Sequence, residues 1–134
     1  MTGTPEHDDG WPWPDALDAL VAAPQSHRML FKNDAVRVLE VIIEPGAREP
    51  LHTHRAPSVM IVDQPARIRY YSGEELTFES PLDVTGAPRV SWLDPEPPHS
   101  VENVDVRPYH AYRIELTAAI GSHACQCVMS ARQP

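Results

Sequence analysis

From residue 29 onward the chain is a succession of short β-branched and aromatic runs, at 36–43, 59–62, 67–71, 76–78, 90–93 and 109–116. Each is bounded by Pro, Gly, Asp or Asn, so each reads as a strand with a stiff turn at its end. Turn signals at this interval restrict the architecture to a sandwich or a closed barrel. The 15 prolines, about twice the usual share, fall mainly between the runs, which suits the same reading. Within 67–70, Arg67 and Arg69 alternate with Ile68 and Tyr70, the pattern of a strand with one wet and one dry side.

Ahead of the strands, Asp15 is placed to cap a short helix over 16–23 that stops at Pro24 and packs on the outside of the barrel. Trp11 and Trp13 read as cover for an apolar patch or as a dimer contact. The expected division is a lead-in and helix over 1–28, a barrel over 29–118 and an extension over 119–134.

A chain of 134 residues can bury a core without a metal or disulfide as staple, so a metal here would serve chemistry. The formal charge of -8 argues against non-specific binding to nucleic acid or anionic membrane. No segment approaches the roughly eighteen apolar residues of a spanning helix and residues 1–10 lack an apolar leader core, so the expected location is the cytoplasm. Cys125 and Cys127 lie one residue apart, where a disulfide would be strained, and read as reduced thiols in a solvated tail.

Chemistry concentrates in histidines. Residues two apart on a strand share a face, so His52 and His54 can offer both imidazoles to one metal ion. A third ligand must come from elsewhere, and His99 follows the proline-rich stretch Asp94-Pro95-Glu96-Pro97-Pro98, read as a turn that ends one strand and aims the next. Asn103 is expected to fix the turn after His99. His7, His27 and His123 are isolated and carry no assignment.

Gly46-x5-His52-x-His54, followed by His99-x3-Asn103, resembles the two-part signature of the cupins. The resemblance covers roughly residues 34 to 116. It implies an all-β double-stranded β-helix, a jelly-roll barrel here preceded by a short helix, with His52, His54 and His99 holding a divalent metal in the barrel mouth. The usual glutamate ligand after the second histidine is absent, since Ser58 and Val59 stand there, and Asp94-Pro95-Glu96 replaces the usual Pro-x-Gly.

Three imidazoles suit Fe(II), which we favour, and also Zn(II), Ni(II), Mn(II) or Cu(II). Glu49 lies three residues before His52, an odd spacing that puts it on the opposite face of a regular strand. Ser58, Met60, Tyr70 and Trp92 are candidates for the pocket wall. In the last run His110, Tyr112 and Ile114 share one face and Tyr109, Arg113 and Glu115 the other; if the first set points inward, His110 and Tyr112 become candidates for proton transfer. The leading expectation is a three-histidine Fe(II) dioxygenase acting on a chelating small molecule. Two alternatives share its framework: a metal-dependent isomerase or cyclase, and a non-catalytic small-molecule binding or sensing cupin. A homodimer is expected in either class.

Overall fold

The structure, a computed structural model, describes residues 10–120. Nine strands follow one short helix: α1 (Ala19–Ala22), β1 (His27–Lys32), β2 (Arg37–Ile43), β3 (His52–His54), β4 (Ser58–Gln64), β5 (Ile68–Ser72), β6 (Glu75–Glu79), β7 (Val90–Leu93), β8 (Glu96–Asn103) and β9 (Tyr109–Glu115). They form a five-stranded sheet in the order β1-β2-β9-β4-β7 and a four-stranded sheet in the order β3-β8-β5-β6, with every strand pair antiparallel. Sequence neighbours such as β3 and β4 lie in different sheets, so the chain winds back and forth between two facing layers.

Alternation sets what faces inward. On β2, Leu39, Val41 and Ile43 are buried and Val38, Glu40 and Ile42 half-buried; on β9, Ala111, Arg113 and Glu115 are buried. Directly opposite residues on antiparallel neighbours share a face, and here Leu39 stands opposite Arg113 and Val41 opposite Ala111. The apolar cluster of Val41, Ile43, Val101 and Ala111, with Met60, Val62, Ile68 and Tyr70 against it, lies between the sheets. It leaves a cavity of about 700 Å³ rather than a filled core.

Gly46 has φ +81, the left-handed region that favours glycine, and turns the chain after β2. The following loop is laced to β8: the Gly46 and Glu49 amides donate to the carbonyls of Asn103 and Val101, and the Asn103 amide to that of Ala47. Asn103 is fully buried, donates to the carbonyls of Ile43 and Arg107 and accepts from the Asp105 amide. It therefore fastens the turn after β8 to the end of β2.

Two local expectations are corrected. The helix is not continuous over 16–23: a 3-10 turn at Asp15–Leu17 breaks at Asp18, which is extended (ψ 143) and caps α1 by accepting from the Leu20 amide. Asp18 takes this place, rather than Asp15, because its other carboxylate oxygen also receives Arg37 at 2.8 Å. The proline-rich stretch is not a turn throughout: β8 begins at Glu96 and carries Pro97 and Pro98, whose fixed φ is compatible with extended chain at a strand end. Residues 121–134, with His123, Cys125 and Cys127, and residues 1–9, with His7, lie outside the described residues.

Candidate metal centre

The three-residue strand β3 holds His52, Thr53 and His54, all buried, and His52 stands directly opposite His99 on β8. The two imidazoles are fixed in the same way. His52 Nδ1 lies 2.8 Å from the Pro50 carbonyl and His99 Nδ1 2.8 Å from the Pro97 carbonyl, two residues back in each case. His54 Nδ1 lies 2.8 Å from Glu115 Oε2. A carbonyl or carboxylate accepts only, so Nδ1 carries the proton in each ring and Nε2 keeps its lone pair.

A further imidazole joins them. His27, at the start of β1, has its ring centroid 4.8 Å from that of His52 and 5.2 Å from that of His54, while His52 and His99 are 4.4 Å apart. Its Nδ1 is 3.1 Å from the Ala23 carbonyl and 3.0 Å from Ser26 Oγ. Among the described residues two groups of three have ligand atoms all within 4.8 Å: His27, His52 and His54, and His54, Glu96 and His99. The expected triad is thus divided between them, with His54 common to both.

Two carboxylates border the cluster. Glu49 is buried, with Oε1 3.8 Å from His52 Nε2 and Oε2 accepting from Ser26 Oγ at 2.6 Å. Strand parity does not place it, because it precedes Pro50 and lies in the loop ahead of β3. Glu96 Oε2 accepts from the Tyr70 hydroxyl at 2.7 Å, and Oε1 forms an ion pair with the Arg113 guanidinium at 2.8 Å. Tyr70 also stacks on the His99 ring, 4.9 Å between centroids and 4° from parallel.

Burial controls the charge. It pushes His27 down to about 4 and His52 to about 3, in the latter helped by His99, and holds His54 and His99 below the usual imidazole range. The imidazoles are neutral at pH 7, the form that binds metal. Burial likewise raises Glu49 to about 7, whereas for Glu96 burial, the largest single effect, is outweighed by Arg113, His99 and Tyr70 together, which hold the carboxyl below its ordinary value.

Met60 and Tyr70 line the cavity. Ser58 is not among the lining residues; it is fully buried, accepting from Arg113 Nε at 3.1 Å and donating to the Ala56 carbonyl. Trp92 points outward, 49% exposed with its indole N–H on Asp94, and its neighbours Ser91 and Leu93 line the cavity instead. His110 and Tyr112 are on the outer face of β9, where His110 bonds Glu40 at 2.8 Å and also Asp63. Tyr109 and Arg113 take the inner face. The alternation on β9 was readable, but which face is inside depends on its register with β2. His27 and Glu96 were missed as neighbours of the cluster, since no sequence spacing links β1 to β3, while Glu49, weighed as a replacement carboxylate and set on the opposite face by parity, reaches the cluster because the loop before β3 has no period to read.

No family model matches the chain, and no curated protein matches it in sequence. Solved structures do resemble it. A cupin domain from Bordetella pertussis superposes with a TM-score of 0.55 at 18% identity, covering 67% of this chain and 90% of that one. A conserved protein with a double-stranded β-helix domain from Klebsiella pneumoniae gives 0.52 at 14% identity, over 71% and 78%. A cupin domain from Schizosaccharomyces pombe gives 0.50 at 14% identity, over 81% and 72%. Likeness at these identities is likeness of fold, and with two facing antiparallel sheets around a histidine-lined cavity this chain is a cupin-fold protein, an all-β double-stranded β-helix.

Proposed function

We propose that the chain is a metal-dependent enzyme of the dioxygenase type, with His52, His54 and His99 as ligands of a divalent ion, Fe(II) by preference, acting on a small chelating molecule. One observation carries this reading: each of these imidazoles has its Nδ1 held by an acceptor, leaving Nε2 lone pairs on the wall of a mostly apolar cavity. The donor chemistry fits a borderline divalent ion, since neutral imidazoles suit Fe(II), Zn(II) and Ni(II). A bound ion there supplies Lewis acidity and, when it is iron, redox chemistry with dioxygen.

The chain's own groups do the rest. Val41, Ile43, Met60 and Val84 give the cavity an apolar wall that excludes water from a bound molecule. Glu49, raised by burial to about 7, can hold or release a proton near neutrality beside His52. Arg113 and Tyr70 keep Glu96 ionised and in place against His99. His110 and Tyr112 take no part, because they face away from the cavity.

Elemental analysis of protein purified without air or chelator tests this reading. About one iron per chain, lost in His99→Ala, is the expected result, followed by oxygen uptake with a chelating substrate; a metal-free wild type after reconstitution overturns it. Zinc with no oxygen uptake would favour the isomerase or cyclase alternative. We further propose a homodimer through the N-terminal segment, where Val21, Met29, Leu30 and Phe31 are exposed on α1 and the edge strand β1. Light scattering should give twice the mass of one chain, falling to one in Phe31→Asp, and a monomeric wild type would refute the dimer.

A further inference from the structure

We infer that His27 is a metal ligand, so that the centre is built from four imidazoles, with β1 contributing one alongside β3 and β8. The inference rests on the metal-binding reading above and adds a residue to it.

The first argument is proton placement. His27 is 5% exposed, and its Nδ1 faces the Ala23 carbonyl, so Nδ1 carries the proton and Nε2 is the acceptor. Its ring lies as near to His52 and His54 as those two lie to each other, at 4.8 and 5.2 Å against 5.1 Å. Held in this tautomer, His27, His52 and His54 bring three acceptors within 4.8 Å of one another, and His99 belongs with His54 to the second group. Acceptors that face one another need a donor or a cation between them. The nearest guanidinium, Arg113, is committed to Ser58 and Glu96.

The second argument is the number of ions. The two groups of ligand atoms, His27 with His52 and His54, and His54 with Glu96 and His99, share His54. Its Nδ1 is engaged by Glu115, so His54 has one lone pair to give and cannot serve two ions at once. One ion bound through His54 is therefore the most the two groups can hold together. In the second group Glu96 accepts from Tyr70 and its charge is balanced by Arg113, whereas the first group consists of imidazoles alone, with His27 supplying the one on the β1 side.

The third argument is that His27 is positioned as the other ligands are. Ser26 Oγ bridges the His27 ring, at 3.0 Å, and Glu49 Oε2, at 2.6 Å, tying the start of β1 to the loop that precedes β3. A buried ring N–H needs an acceptor in any setting; here the Ala23 carbonyl supplies it, and the Ser26–Glu49 link fixes the ring's place beside β3.

The test is a Co(II) titration of metal-free full-length protein, read by competition with a chromophoric chelator and by the visible absorption of bound Co(II), whose position and intensity report coordination. His27→Ala should weaken Co(II) binding by at least about 100-fold, the upper end of the effect of losing a residue that merely supports a ligand, and should change the spectrum. His110→Ala, an outward imidazole, should match wild type in both. Should His27→Ala fail to fold by circular dichroism, His27→Gln, which keeps the volume and a hydrogen-bonding group, gives the same reading. Wild-type affinity and spectrum in a folded His27 variant overturn the fourth ligand and leave the metal reading standing. A wild type that takes up no Co(II) overturns both.

Discussion

At the residue scale, the outer hydrogen bonds of the histidines matter as much as the histidines. Pro50 and Pro97 supply carbonyls to His52 and His99 from two residues back, a contact the chain makes within its own strand end. His54 depends on a partner 61 residues away, Glu115, which also receives Arg37 Nε at 2.6 Å. Glu115→Gln keeps the shape, removes the charge and leaves one acceptor oxygen for two donors, His54 Nδ1–H and Arg37 Nε–H, because the amide N–H2 cannot accept from either. We expect divalent-metal affinity to fall by about 10- to 100-fold with the fold retained; a competition titration checks it, and unchanged affinity would show that Glu115 does not orient His54.

At the scale of elements, α1 is a four-residue helix too short to persist alone, so its neighbours hold it. Asp18 does so three times over, capping Leu20, pairing with Arg37 and bridging to Thr53 between the two β3 histidines. Since the Ala23 carbonyl at the end of α1 positions His27, loosening the cap reaches the histidine cluster. Asp18→Ala should lower stability by about 1–2 kcal/mol, seen as a lower urea midpoint, while Asp18→Asn, which can still cap, should recover most of it. Equal midpoints for the wild type and the alanine variant would remove Asp18 from this role. The same elements show where reading the chain stops. His-x-His on one strand is a local period of two and was legible, as were the dry faces of Ile68 and Tyr70. The inward face of β9 was not, because a one-residue change of register would exchange Arg113 for Tyr112 with no change in the sequence of β9.

At the scale of the whole molecule, the barrel buries several neutral imidazoles together and so becomes sensitive to acid. For His27 the folded value of about 4 lies below the ordinary 6.5, so on acidification the unfolded chain binds the proton first. Its contribution to stability is complete above about pH 6.5 and is lost as pH falls toward 4, with His52, His54 and His99 acting in the same direction. Glu49 acts oppositely: its folded value of about 7 exceeds 4.5, so it favours folding as pH falls through 7. Glu115, raised by burial, and His110, raised by Glu40 and Asp63, act with Glu49 and against the four buried histidines. With the histidines the larger set, metal-free protein should be less stable at pH 5 than at pH 7.5 by about 1–2 kcal/mol, measured by urea denaturation at the two values. Equal or greater stability at pH 5 would show that the imidazoles are not held neutral by burial.

The sequence by itself determined the strands β2, β4, β5, β6, β7 and β9, the pairing of His52 with His54 and the candidacy of His99. All of these follow from backbone period and residue type within a few positions of each other. Only the tertiary structure decided that Glu49 reaches the histidines, that Glu96 is held by Tyr70 and Arg113, that His110 and Tyr112 face outward, and that His27 joins the cluster. Those outcomes depend on strand register and on which sheet faces which, and both are set by packing between segments that are tens of residues apart.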